Sequence, residues 1–230
     1  MAKAKRVYVC RECGSKTPQW AGQCSDCGAW NSLEEAVQAP TDAGSQANIQ
    51  KHTGYAGETR KEVQALADIT SEDAVRWTTG LPELDRVLGG GLVTGSVILI
   101  GGDPGIGKST LLLQAMASLA QATNIKPLYV SGEESLQQIR LRAERLDLAQ
   151  APIDLLAETH VEQMLDVAQQ RRPNVMVIDS IQTVFTEQLQ SAPGTVAQVR
   201  ESAAQLVRMA KSTGTTMIMV GHVTKQGALA

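Results

Sequence analysis

Residues Gly102-Asp103-Pro104-Gly105-Ile106-Gly107-Lys108-Ser109 have the spacing G-x-x-x-x-G-K-S, which is suited to cradling a chain of phosphates. The glycines let backbone N–H groups turn inward around an anion. The helix that follows directs the positive end of its dipole at the same anion. Lys108 supplies a mobile charge for β- and γ-phosphates, the Ser109 hydroxyl is placed to bind Mg²⁺, and Thr110 completes the nucleotide-binding set. Val97-Ile98-Leu99-Ile100 before the loop reads as a buried strand, and residues 110–116 after it read as a helix. A Gly-rich turn with a chance Lys-Ser is the alternative, and both flanks argue against it.

Three further strand ends carry groups that nucleotide hydrolysis would need. Val175-Met176-Val177-Ile178 ends in Asp179, about seventy residues after the loop, where a carboxylate can hold Mg²⁺ or its water beside the phosphates. Ser180 extends this network or caps the next loop. Tyr129-Val130-Ser131-Gly132 leads to Glu133 and Glu134, of which Glu133 is the first choice as general base and Glu134 the second. Alternatively, both acids sit in the first turn of a helix over 134–147, where the dipole favours them. Met217-Ile218-Met219-Val220-Gly221 ends in His222, a candidate γ-phosphate sensor, and Lys225 is a candidate finger toward a neighbouring subunit.

A separate cluster opens the chain. Cys10-x2-Cys13 and Cys24-x2-Cys27 contain all four cysteines, with ten residues between the pairs. Each hook places two thiolates on one side of an ion, so the set fits tetrahedral Zn²⁺. Two disulfides or four free thiols are the alternatives. No secretory signal precedes the cysteines and no apolar stretch has spanning length, so a cytoplasmic chain with reduced thiols and no membrane partner is expected. Four thiolates leave no open coordination position, which makes the expected zinc structural. Trp20 and Trp30 bracket the second hook and are expected to pack over the metal.

The elements that must position these groups follow from length and patterning. The 230 residues suffice for one medium domain and an appendage, and 43% hydrophobic with 20% charged residues is ordinary for a soluble protein. The net charge of −3 carries no global nucleic-acid signature. Lys3, Lys5, Arg6, Arg11 and Lys16 nevertheless crowd the start against Glu12 alone, as a phosphate-contacting or simply solvated terminus. One Phe and three Tyr make an aromatic base-stacking platform improbable. Residues 1–33 are expected to form the cysteine module, 34–65 a flexible linker, and 66–230 the catalytic core. In the core, strands are expected over 97–101, 127–131, 153–157, 174–179 and 215–221. Helices are expected over 108–122, 134–147, 160–171 and 194–213. Val161, Met164, Leu165 and Ala168 form one helical stripe; Val196, Val199, Ala203, Leu206 and Ala210 form another. Such alternation implies an α/β fold with a mostly parallel sheet covered on both faces.

Taken together, the two cysteine hooks, Trp30-Asn31, Thr79-Gly80, Leu84-Asp85-x2-Leu88-Gly89-Gly90-Gly91-Leu92, the loop from Gly101 to Thr110, Ser131–Ser135, Ile178–Thr183 and Gly221–Lys225 resemble the bacterial RadA (Sms) family of DNA repair proteins. The resemblance implies a RecA-like P-loop ATPase core behind a four-Cys zinc-ribbon module. It also implies ADP or ATP with Mg²⁺ at the loop, and single-stranded and branched DNA as partners. Work beside the RecA recombinase as a homo-hexameric helicase is implied too, with residues 181–193 facing the DNA channel. That loop has Gln182, Thr183 and Gln188 but no Lys or Arg, so phosphate contact is not required by its residues. The family's Lys-Asn-Arg-Phe-Gly motif and Lon-protease-like domain are not in these residues. The chain is therefore expected to be an N-terminal fragment with a C-terminally truncated core and an unpaired sheet edge. A nucleotide-switched DNA- or protein-binding fragment without appreciable turnover is the second reading. A KaiC-like regulatory ATPase is the third, opposed by the cysteine module and the single P-loop.

Overall fold

The computed structural model describes residues 5–12, 14–38, 65, 76–121 and 125–222. Cys13, Lys225 and most of the expected linker lie outside them.

The cysteine module is a three-stranded antiparallel sheet, in which β1 (Lys5–Cys10) lies between β2 (Lys16–Thr17) and β3 (Leu33–Gln38). Pairing of Lys5 with Gln38 carries β3 past the expected boundary at residue 33. Its small core is Cys10, Cys24 and Leu33, with Tyr8 against them. Trp20 and Trp30 do not pack over this core: they are 57% and 72% exposed. Among the described residues the buried cluster there is Cys10, Cys24 and Leu33 with Tyr8, and neither indole belongs to it.

A short antiparallel pair, β4 (Arg76–Trp77) and β5 (Leu92–Val93), encloses α1 (Pro82–Val87). Asp85 Oδ1 accepts from both the N–H and the hydroxyl of Thr79, each at 2.8 Å, and ties the turn to the helix.

The core alternates β6 (Val97–Gly102), α2 (Lys108–Gln121), β7 (Pro127–Ser131), α3 (Leu136–Arg145), β8 (Asp154–Ala157), α4 (Val161–Arg171), β9 (Val175–Asp179), α5 (Val196–Thr213) and β10 (Thr216–His222). The five-stranded sheet has the order β6-β10-β9-β7-β8, and every neighbouring pair is parallel. Strand side chains alternate between faces, and the cores follow that period. Leu128, Val130, Met176, Ile178, Met217 and Met219 share one core with Met164 of α4 and Leu206 of α5. Tyr129, Val175, Val177, Ile218 and Val220 share the other with Leu112 and Met116 of α2 and Ile139 of α3. The sheet is thus covered on both faces, as an α/β core requires.

Two sequence expectations need correction. The helix expected from residue 134 begins at Leu136, because Ser135 is its N-cap in a capping box with Gln138. Glu133 and Glu134 therefore precede the helix and do not lie in its first turn. Val196 is exposed at the first position of α5, so the buried stripe there begins at Val199. At the sheet's edge, Leu99 of β6 is 52% exposed, and no strand among the described residues pairs with β6 opposite β10. No helix among the described residues is long and apolar enough to cross a membrane.

Candidate functional site

Parallel register sets the candidate residues level at one edge of the sheet. His222 pairs with Gly102, Ser131 with Asp179, and Met219 with Ile178. The chain runs outward from β7 to β8, then returns through β9 and β10 to β6, so strand order reverses beside β7. The crevice at the carboxyl ends of such strands is where open α/β sheets bind ligands. β10 separates the P-loop strand from β9, so the tip of β10 stands between the phosphate loop and Asp179.

Gly105 (φ 82°) and Gly107 (φ 97°) take left-handed conformations in the P-loop, which a side chain would strain. Leu111 N–H bonds Gly107 O at 2.9 Å in the first turn of α2. The N–H groups before it have no intrahelical acceptor and face an incoming anion. Lys108 is only 7% exposed, and its ammonium donates to Gly102 O and Asp103 O, both at 2.8 Å. It also lies 3.3 Å from His222 Nδ1.

An ammonium has no acceptor, so His222 Nδ1 accepts from Lys108 and Nε2 carries the proton. That Nε2–H faces Glu133 Oε1 at 3.1 Å, and the Ser180 hydroxyl donates to the same oxygen at 2.5 Å. Gln182 Nε2 donates to His222 O at 3.1 Å. Lys108, His222, Glu133 and Ser180 are thereby joined across three strand ends. Glu133 is exposed, so water reaches it. Glu134 points elsewhere and pairs with the buried Arg142 of α3. The two adjacent acids have separate surroundings, and only Glu133 faces the P-loop lysine's network.

The cysteine hooks repeat one backbone pattern. Cys10 N–H bonds Ser15 O at 2.9 Å and Gly14 N–H bonds Cys10 O at 2.8 Å; Cys24 N–H bonds Ala29 O and Gly28 N–H bonds Cys24 O, both at 2.9 Å. Gly14 and Gly28 each have φ 72°. The sulfurs of Cys10, Cys24 and Cys27 lie within 4.8 Å of one another. Cys10 Sγ and Cys27 Sγ are 3.6 Å apart, against about 3.8 Å between ligands in a tetrahedron with 2.3 Å Zn–S bonds. That spacing fits a shared ion and is far too long for a disulfide between these two. Cys13, outside the described residues, occupies the position in the first hook that Cys27 has in the second.

The family model described as an AAA domain matches residues 60–228, and one described as a rubredoxin metal binding domain matches residues 8–35. This chain belongs to the AAA domain family. Along its whole length the AAA-family chain is similar to proteins named DNA repair protein RadA. It is 58% identical to that of Pseudomonas aeruginosa over 230 residues, 53% to that of Escherichia coli over 232, and 44% to that of Bacillus subtilis over 232. It spans about half the length of these relatives: 49%, 50% and 49% respectively. The AAA and metal-binding-domain matches agree with the P-loop core and the cysteine module expected from sequence, and the similarity to RadA proteins agrees with the family resemblance.

The AAA core also holds site residues that the sequence reading passed over. Asp179 is 6% exposed, and its Oδ2 accepts from the Tyr129 hydroxyl at 2.5 Å. Tyr129 was legible only as a strand residue, although a buried phenol needs a polar partner. Arg142 was legible only as part of a helix. At Gly132 the AAA core leaves no room for a side chain: an added Cβ would lie 2.1 Å from Thr183 Oγ1 and 3.2 Å from Thr159 Cγ2. Gly132→Ala is expected to destabilise the core by about 1–3 kcal/mol through overpacking. A denaturant midpoint equal to that of the unaltered chain would contradict the close approach.

Proposed function

We propose that this chain is the ATP-hydrolysing part of a DNA repair protein, a DNA-dependent ATPase that processes or migrates branched recombination intermediates. The observation that carries the chemistry is the junction of Lys108, His222, Glu133 and Ser180 at the P-loop end of the sheet. DNA repair enters from the relatives' name, and single-stranded and branched DNA, the RecA recombinase, a cytoplasmic location and a six-membered ring enter from the family resemblance.

Residues 102–110 hold the triphosphate through backbone N–H groups, and Lys108 leaves its carbonyl partners to neutralise the β- and γ-oxygens. Ser109 and Asp179 would hold Mg²⁺, which would supply positive charge to offset that on the phosphate oxygens. Glu133 orients a water and takes its proton as the water oxygen bonds to the γ-phosphorus. The bond from that phosphorus to the bridging oxygen breaks, and ADP and phosphate leave. Departure of Lys108 toward phosphate removes the donor from His222 Nδ1. His222 thereby senses the nucleotide and passes its presence to Glu133 and, through Gln182, to the loop after β9. Gln198 anchors that loop through Thr186 N–H and O, Leu189 O and Ser191 O, at 2.9–3.2 Å. On the family resemblance, it is the segment that would meet DNA.

Steady-state ATP turnover measured against rising single-stranded DNA, then against a branched substrate, tests this reading. Turnover should rise several-fold and saturate. Turnover indifferent to both DNAs would contradict the DNA-dependent part. Nucleotide binding without turnover would favour a nucleotide-switched binding module instead.

A further inference from the structure

Tyr129 lies on β7 in the core layer formed with α2 and α3, among Leu112, Leu113, Met116 and Ile139, and is 1% exposed. A hydroxyl in such a layer is costly unless hydrogen-bonded. It donates to Asp179 Oδ2 at 2.5 Å.

Engaging Oδ2 of Asp179 fixes the carboxylate plane and leaves Oδ1 available for a cation. Mg²⁺ demands near-ideal octahedral geometry at about 2.0–2.1 Å, so it rewards ligands whose orientation is set beforehand. Groups that orient metal ligands commonly change affinity by about 10–100-fold.

We propose that Tyr129 is a positioning residue for magnesium, its hydroxyl holding the aspartate at the end of β9 in the orientation that a cation beside the P-loop requires. The inference rests on the ATPase reading above. It assigns a role to a strand residue that neither P-loop spacing nor the acid at the end of β9 includes.

The test is binding of a fluorescent ADP analogue to the full chain across a Mg²⁺ titration, with a parallel measurement in excess chelator. Tyr129→Phe keeps the ring and its packing and removes only the hydroxyl. The Mg²⁺ concentration for half-maximal binding enhancement should rise about 10-fold or more, with affinity in chelator unchanged within about twofold. In an Asp179→Asn background the same substitution should have little further effect, since the coupling has already been lost. An unchanged Mg²⁺ midpoint in Tyr129→Phe would overturn the proposal. So would an equal loss of binding with and without Mg²⁺, which marks a packing role. An unaltered chain whose nucleotide binding ignores Mg²⁺ would instead overturn the ATPase reading beneath it.

Discussion

Glu133→Gln is expected to lower the ATP turnover number by about 10²–10⁴-fold, the usual contribution of a positioned general base. Glutamine has the same shape and still accepts from the Ser180 hydroxyl and His222 Nε2–H, which meet Oε1 at 2.5 and 3.1 Å. It cannot take a proton from water. Nucleotide affinity should change less than about threefold, because Glu133 faces Ser180 and His222 and makes no contribution to the P-loop cradle. Glu134→Gln is the matched control. Its carboxylate balances the buried Arg142 guanidinium, so its loss should cost about 1–3 kcal/mol of stability, discounted from the buried-pair range because Glu134 is partly exposed. Its turnover number should fall less than about tenfold. Equal losses of turnover in the two variants would show that the separate surroundings of these acids have no catalytic meaning.

Cys24→Ser is expected to release zinc and melt the ribbon while the AAA core stays folded. Among the described residues the ribbon's buried hydrophobic set is Cys10, Cys24 and Leu33, with Tyr8 against it, a small core to set against the entropy of ordering the module. Structural zinc contributes roughly 10–16 kcal/mol of apparent binding energy in small modules, and that energy is largely folding energy. The core keeps its two independent hydrophobic layers. Metal analysis should give about one zinc per unaltered chain and nearly none in the variant. Ribbon amide resonances should collapse as core resonances persist. A full complement of zinc in Cys24→Ser, or a dispersed ribbon spectrum after chelation, would contradict the four-cysteine site.

Legibility in the sequence followed the range of the interactions. The five core strands β6 to β10 and helices α2, α4 and α5 were legible within a residue or two, because each carries its own period or apolar run. The P-loop and the cysteine hooks were legible because their chemistry depends on short spacings. What depended on packing between distant segments was not. The start of α3 was misplaced because Ser135 competes with Glu134 to begin it, and the side-chain cap decides. Trp20 and Trp30 were expected over the metal because they bracket the second hook of a small module, yet both stand mostly in solvent. Position alone could not choose between Glu133 and Glu134. Their partners, Ser180 and His222 for one and Arg142 for the other, come from β9, β10 and α3. Tyr129 was missed for the same reason: its hydroxyl acquires meaning only when β7 lies beside β9.

The most direct measurement is ATP hydrolysis by this chain beside its Lys108→Ala variant. Lys108 is the charge poised between the P-loop carbonyls and His222, so its removal should lower turnover by at least about 100-fold, the scale of losing one preorganised transition-state donor. Turnover that persists undiminished in Lys108→Ala would place the hydrolysis at some other site and contradict the account.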